Sequence, residues 1–249
     1  MSELTIKALK GLPEIDKGDD LVSLIVHRVR DERIEIRDRD IFVVAQKVVS
    51  KAEGRTVRLD SVTPSPKARD WAEAYDKDPR LVEVVLSQSR RIVRMENGVI
   101  ISETEHGWIC ANAGVDASNT PDETAVLLPV DPDSSARQIR AGLESAFGVS
   151  LAVIISDTFG RPWREGLVNV AIGIAGMPGI VDYRGELDSH GRPLRVTTIA
   201  VADELASAAE LVMKKTDRVP VAIISGFDYE PRAGGARELI REPERDLFR

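Results

Sequence analysis

Short apolar runs alternate along this chain with segments whose apolar positions recur every three or four residues, so strands and helices are interleaved. Residues 4–9 alternate weakly and predict a strand. Behind Asp19-Asp20, which offers an N-cap, Leu21, Leu24, Ile25 and Val29 share one helical face, and His27 falls off it as an exposed residue. Ile41-Phe42-Val43-Val44 predicts another strand. Ser65-Pro66 and Asp78-Pro79 each set a cap before a proline at the first helical position, which predicts helices over 66–75 and 79–88. The second buries Leu81, Val82, Val85 and Leu86; Trp71 in the first reads as a packing residue.

Arginines interleave with Ile92 and Val93 over 90–94, and a hairpin-like pair of strands follows around 98–101 and 108–110, with His106 in the connecting turn. A strand near 125–128 leads to a capping box, Ser135 with Gln138, for a helix that ends at Gly148 and turns Ile139, Leu143 and Phe147 inward. A strand over 195–201 runs into a helix with Leu205, Ala208, Ala209 and Val212 inward. Asp203 caps that helix or serves as a reserve metal ligand. A last strand over 219–225 precedes Gly226 and a charged tail. Gly173, Gly176 and Gly179 recur every third residue, a spacing unlike the dinucleotide fingerprint that reports tight packing instead.

The chain is organised around 151–166. Residues 151–156 predict a buried strand, and at its end stand a carboxylate and a hydroxyl, Asp157 and Thr158, followed by a short loop with Arg161 and Arg164. A carboxylate just past a strand end is placed like a metal ligand, and the two guanidinium groups are near enough to meet phosphate or carboxylate oxygens around that metal. The alternative is a turn cap beside solvated arginines.

Three other loops carry chemistry. Gly11-Leu12-Pro13-Glu14 forms an irregular loop whose backbone either approaches a ligand or simply turns. After the strand at 41–44, Gln46, Lys47, Ser50 and Lys51 either neutralise a polyphosphate or form a solvated basic turn. Asn112-Ala113-Gly114-Val115-Asp116-Ala117-Ser118-Asn119 is rich in small residues; Asp116 and Asn119 share one side of a turn, as ligands or as an Asx-turn. The polar stretch 183–192 predicts a surface loop or hairpin able to close over a site.

Composition narrows the classes. With 249 residues, 43% of them hydrophobic, the chain has room for one large domain or two small ones and enough apolar residues for a sizeable core, so disorder is not expected. Lys+Arg 34 against Asp+Glu 41 gives 34 − 41 = −7, which argues against a nucleic-acid partner, so an anionic ligand needs a local cluster of basic groups and metal. Cys110, the only cysteine, excludes an internal disulfide and a Cys-rich zinc site and reads as a small core residue on a strand. No leader and no membrane-spanning run is seen, which implies a cytoplasmic protein with no membrane partner.

Taken together, Gly11-Leu12-Pro13, Val49-Ser50-Lys51-Ala52-Glu53-Gly54-Arg55, the 112–119 segment and Asp157-Thr158 with Gly160-Arg161 resemble the coenzyme F420-0:L-glutamate ligase family, in order and spacing along nearly the whole chain. Val201-Ala202-Asp203-Glu204 and the ending Asp246-Leu247-Phe248 are also similar to that family, the latter to the ligase half of its bifunctional actinobacterial members. Their C-terminal nitroreductase-like domain is missing from 1–249. The resemblance implies a single ligase domain over 1–249 with an α+β fold, an unusual mixed sheet and two intimately joined subdomains, a homodimer, and a GTP-dependent enzyme that joins L-glutamate to coenzyme F420-0 and extends a γ-linked tail. It implies two divalent metals, Mg or Mn, with K+ as a further candidate. By position, Gly11, Leu12, Pro13, Glu14, Gln46, Lys47, Lys51 and Asn119 contact GTP, Asp116 and Asp157 hold one metal, and Thr158 holds the second.

Two positions depart from the family pattern. Archaeal members usually carry Met-Gly-Glu or Met-Gly-Gln near the nucleotide, where this chain has Met213-Lys214-Lys215, and a protonated lysine cannot ligate a metal. His190 stands where a tyrosine is common. Amide formation from a carboxylate needs an activated oxygen, which an acyl phosphate supplies; Lys51, Arg161 and Arg164 are the basic groups assigned to that chemistry. Two other readings are kept: a metal- and nucleotide-dependent ligase with a different acceptor, and a nucleotide sensor, which needs no second metal position.

Overall fold

The computed structural model describes residues 3–117 and 123–246. Its elements in chain order are β1 (Thr5–Leu9), α1 (Leu21–Asp31), β2 (Ile41–Ala45), α2 (Gln46–Ala52), β3 (Thr56–Arg58), α3 (Pro66–Tyr75), α4 (Pro79–Ser87), β4 (Ser89–Glu96), β5 (Val99–Thr104), β6 (Ile109–Ala111) and β7 (Thr124–Val126). There follow α5 (Pro132–Phe147), β8 (Ala152–Arg161), β9 (Arg164–Ala175), β10 (Val181–Asp182), β11 (Thr198–Ile199), α6 (Val201–Met213) and β12 (Val221–Ser225).

A five-stranded sheet in the order β1-β12-β2-β8-β9 carries the fold. Only β2 and β8 run parallel; every other pair in that sheet is antiparallel. The continuous apolar runs of β2, β8 and β12 follow from burial on both faces, and side-chain alternation divides them cleanly. Phe42, Val44, Val153, Ile155, Val221 and Ile223 pack with Leu21, Ile25 and Val29 of α1 and Ile139 and Leu143 of α5. Ile41, Val43, Ala152, Ile154, Ala222 and Ile224 pack on the other face with Leu205, Ala206, Ala209 and Met213 of α6. The architecture is therefore a mixed α+β one. A smaller core, with Ala68, Ala72, Val82, Val85 and Ile100, lies between α3, α4 and the three-stranded sheet β4-β5-β6.

The helix starts show which local rules win. Asp20 accepts from Ser23 N at 3.1 Å, Ser65 from Ala68 N and Asp78 from Arg80 N, as their sequence positions predict. The capping box at Ser135 does not form. Asp131 caps α5 instead, accepting from Ser134 N at 2.8 Å with Pro132 in the first turn, and this places the helix start four residues earlier than expected. Asp203 is likewise not the cap of α6: Ala200 holds that position, and Asp203 Oδ1 accepts from Ala171 N at 2.8 Å, tying the helix to β9. The strand expected over 195–201 is reduced to β11, because α6 begins at Val201. Its partner β10 lies across the polar 183–192 excursion, as a hairpin-like loop requires.

The largest correction concerns the organising stretch. The strand does not stop at Ser156, and the arginines are not on a loop: β8 continues through Asp157 and Thr158 to Arg161, turns at Pro162-Trp163 and returns as β9. Polar residues here are strand residues because β9 supplies the ladder, pairing Asp157 with Val170 and Thr158 with Asn169. The glycine spacing does report packing: a Cβ on Gly173 would lie 2.4 Å from the Pro132 carbonyl oxygen, so α5 seats on β9 only where no side chain stands. Among the described residues, no helix is long and apolar enough to cross a membrane.

Candidate functional site

Helix α2, which the residue pattern had not predicted, positions two of the lysines. It ends in a hydrogen-bonded stop: Gly54 has φ +70°, its N–H donates to Lys51 O at 2.9 Å, and Arg55 N donates to Ser50 O at 2.8 Å. Gln46, Val49 and Ser50 form its buried face. The Gln46 amide nitrogen donates to Ser50 Oγ at 2.8 Å and to the Leu127 carbonyl at 3.0 Å, an anchoring role not foreseen for this residue. Lys47 and Lys51, four apart, share the opposite face. Lys47 Nζ lies 2.7 Å from Asp116 Oδ2, and Lys51 pairs with Glu14. The 11–14 loop, α2 and the 112–117 segment therefore converge through two ion pairs.

Asp116 is held by its backbone. Its N–H donates to Val126 O at 3.0 Å, and its carbonyl accepts from Val126 N at 2.8 Å. Just before it, Asn112, Ala113 and Gly114 have φ of 53°, 52° and 69°, three consecutive left-handed residues, two of which carry side chains. Such a turn costs of the order of 1 kcal/mol per non-glycine residue, and burial of Ala113 holds it in place. This is a wound turn ahead of Asp116; Asn119, its expected companion as ligand or in an Asx-turn, lies outside the described residues.

Asp157 follows a bulge. Ile155 pairs with Gly173 while Ser156 pairs with Ala171, so Ile172 is an extra residue in β9, and bulges re-aim the side chains that follow them. Burial pushes the Asp157 carboxyl up to about 6; the Thr158 backbone N–H opposes that rise, the charge of Asp116 adds to it, and Lys215 and Lys47 oppose it. Two carboxylates and two ammonium groups thus share one electrostatic neighbourhood. Nearby Cys110 is buried on β6, its thiol pushed up to about 12 by burial and by the Asp157 charge, which makes it a poor nucleophile.

On the other face of the sheet, beside α6, Thr158 Oγ1 donates to Asn169 Oδ1 at 2.8 Å and accepts from Lys215 Nζ at 2.7 Å. Asn169 Nδ2 donates to Glu210 Oε2 at 2.9 Å, and Lys215 Nζ lies 3.0 Å from Glu210 Oε1. The residue reading had missed the roles of Asn169 and Glu210. Asn169 left a trace, being the one polar side chain inside the 167–181 apolar run, and it is almost fully buried.

The arginines are not brought to this cluster. Arg161 lies four residues past Asp157 along β8, roughly 13 Å at an ordinary strand rise. Its guanidinium donates to the carbonyls of Glu165 and Gly166 across the hairpin turn. Arg164 opens β9 at the same exposed tip, next to Trp163. His190 is exposed in the 183–192 loop, where its N–H donates to Asp188.

Asp116 and Asp157 suit a divalent cation: both are carboxylates, and a cation relieves the cost that burial and mutual repulsion impose on Asp157. Among the described residues no group of three or more His, Cys, Asp or Glu side chains is placed to hold a metal. Thr158, expected from the resemblance to hold a second ion, has its hydroxyl oxygen engaged by the Lys215 ammonium. A cleft of about 230 Å³ opens beside the site, lined by Trp108, Phe159, Val170, Asp203 and Leu239. The buried Trp108 indole N–H has no hydrogen-bond partner among the described residues. The larger groove, about 520 Å³, lies between α1 and α5 and holds none of these groups.

Known proteins match the sequence of this chain along nearly its whole length. A family model described as F420-0:Gamma-glutamyl ligase matches residues 11–226. The coenzyme F420:L-glutamate ligase of Methanothermobacter thermautotrophicus is 47% identical over 249 residues, covering 99% of either chain. The protein of the same name from Methanopyrus kandleri is 47% identical, with 95% of this chain and 94% of that relative covered. One from Haloarcula marismortui is 40% identical, with 99% and 96% covered. Glu14, Lys47, Lys51, Asp116 and Asp157 all fall within the matched region, and the chain belongs to the F420-0:gamma-glutamyl ligase family.

Proposed function

We propose that this protein joins L-glutamate to coenzyme F420-0 in a GTP-dependent reaction that passes through an acyl phosphate. The observation that carries the reading is the position of Asp157 among Asp116, Lys47 and Lys215. Relatives named coenzyme F420:L-glutamate ligase, aligned over almost the full chain, supply the substrates.

The triphosphate lies against the α2 face. Lys47 and Lys51 meet its oxygens there, and the 11–14 backbone closes over it, with Asn119 as a further contact. Binding exchanges the present partners of the two lysines, Asp116 and Glu14, for phosphate oxygens. Asp116 and Asp157 hold one divalent ion, Mg2+ or Mn2+, which when bound offsets charge on the phosphate oxygens. The Trp108 and Phe159 side chains give the neighbouring cleft a flat aromatic lining suited to the fused ring of the acceptor.

Acceptor carboxylate oxygen attacks the γ-phosphorus, the bond to GDP breaks, and an acyl phosphate forms. The glutamate amine then attacks the acyl carbon. Inorganic phosphate leaves with its electron pair as the C–N bond forms, and the nitrogen gives up one proton to solvent. Lys51, whose side chain is only 13% exposed, is the fixed cation for charge developing on the transferred group. Arg161 and Arg164 are given no part in this scheme: the Arg161 guanidinium is engaged by the Glu165 and Gly166 carbonyls, and Arg164 opens β9 at the exposed hairpin tip. Repetition with product as acceptor extends the glutamate tail.

Incubation with GTP, MnCl2, L-glutamate and F420-0 tests the reading. The expected result is GDP, phosphate and an acceptor heavier by one or more glutamyl units, in proportion. Phosphate release that does not require F420-0, or that yields a product only with another acceptor, contradicts it.

A further inference from the structure

We infer that the ammonium group of Lys215 takes the place of a second divalent cation, so that this ligase site holds one metal ion per chain. The inference rests on the proposed ligase reading and adds to it the identity of the second cation.

Lys215 Nζ has three oxygen partners for its three donors: Thr158 Oγ1 at 2.7 Å, Glu210 Oε1 at 3.0 Å and Asn169 Oδ1 at 3.2 Å. A hydroxyl, a carboxylate and an amide oxygen around one point make the kind of donor set that hard cations take. Here the point is filled by a charge carried on the chain. The set is also closed on itself, since Asn169 Nδ2 occupies the other Glu210 oxygen and Thr158 spends its proton on Asn169. Both residues at the base of the cage, Asn169 and Glu210, are well covered, and Asn169 is further fixed by Ser207 Oγ, which donates to its carbonyl at 2.7 Å.

The backbone is strained to deliver the amine there. Lys214 ends α6 with φ 55° and ψ 177°, a conformation that side chains rarely adopt, while its own N–H still closes the helix on Glu210 O. Met213, immediately before it, is buried in the α6 core and fixes the point from which the chain departs. A strained residue between a buried anchor and a lysine with three oxygen partners marks a position that the fold specifies.

Strand alternation separates the two cations. Asp157 and Thr158 are consecutive in β8, so their side chains leave by opposite faces. Asp157 is left to share an ion with Asp116, while Thr158 faces α6 and Lys215. A divalent ion on Thr158 Oγ1 would stand within about 4 Å of a fixed ammonium whose own carboxylate partner, Glu210, is already engaged, and that is a like-charge contact. With 57% of its side chain exposed, Lys215 keeps an outward side on which a phosphate oxygen can sit.

The test counts metal rather than turnover. The full-length protein is dialysed to equilibrium against Mn2+ with a non-hydrolysable GTP analogue, bound Mn2+ is measured by mass spectrometry, and its spin coupling is read by electron paramagnetic resonance. The wild type is expected to hold one uncoupled Mn2+ per chain. Lys215→Glu, checked for native circular dichroism, converts the cage to oxygen donors alone and is expected to hold two, with a coupled spectrum. A wild-type count of two, or a count that stays at one in Lys215→Glu, overturns the inference while leaving the ligase reading intact. A wild-type count of zero overturns both.

Discussion

Lys47 Nζ lies 2.7 Å from Asp116 Oδ2, and through that pair a helix carrying two basic groups is joined to the acidic residue whose charge raises Asp157. At the proposed metal site a proton and a metal ion therefore compete for Asp157. With its carboxyl near 6, metal uptake releases a proton below that pH, and the apparent Mn2+ affinity of the nucleotide complex is expected to rise roughly tenfold per pH unit from 5 towards 6 and to level off above it. Lys47→Met removes a nearby positive charge, so the levelling point is expected to move to higher pH. Titrations of Mn2+ at several pH values check both; an affinity flat across the range contradicts them.

Burial makes Asp157 a stability cost at neutral pH, one that its proposed metal role would account for. Its folded-state value lies above the usual carboxylate value of 3.8, so the folded protein binds the proton more tightly than the unfolded chain. The contribution is favourable below pH 4 and is lost as pH rises through about 6. Asp157→Asn is accordingly expected to raise the metal-free stability at pH 7 by about 2 kcal/mol, with the gain vanishing below pH 4, while turnover is abolished. Denaturant melts at the two pH values measure the difference.

Lys51 separates binding from folding. Its ion pair with Glu14 joins a covered ammonium to a largely exposed carboxylate, and such pairs contribute no more than about 1 kcal/mol. Lys51→Ala is expected to leave the melting temperature within a few degrees of wild type, yet weaken GTP binding at least tenfold. Calorimetric titration with the non-hydrolysable analogue checks this; unaltered affinity removes Lys51 from the nucleotide site.

Lys214 tests whether strain is stored beside the site. At φ 55° and ψ 177°, glycine relieves a cost of roughly 1–3 kcal/mol against an added chain-entropy cost below about 1 kcal/mol. Lys214→Gly is expected to stabilise the fold by about 1 kcal/mol in urea melts. Destabilisation would show that the backbone there is relaxed.

Much of this fold was legible because local rules and burial agreed. Ser65-Pro66 and Asp78-Pro79 gave α3 and α4, and the apolar runs gave β2, β8 and β12. The rule misapplied at Ser135 was the same rule: Asp131-Pro132 has the form of the other two starts, and it prevailed because its proline fits the first helical turn. The hairpin through Asp157 was illegible for a different reason. Polar residues from Asp157 to Gly166 look like loop until β9 pairs with them, and that pairing is a tertiary fact. In the site, residue types and spacing pointed to Asp116, Asp157, Lys47 and Lys51. The network of Thr158, Asn169, Glu210 and Lys215 was hidden because its members are spread over 57 residues and meet only when α6 packs across the sheet.

The most direct test follows one oxygen atom. F420-0 is prepared with isotopically heavy oxygen in its reacting carboxylate and converted with GTP, Mn2+ and L-glutamate, and the released phosphate is examined by mass spectrometry. Activation through an acyl phosphate moves one heavy oxygen into inorganic phosphate for each amide formed. Unlabelled phosphate, or label recovered in a guanine nucleotide, would contradict the account.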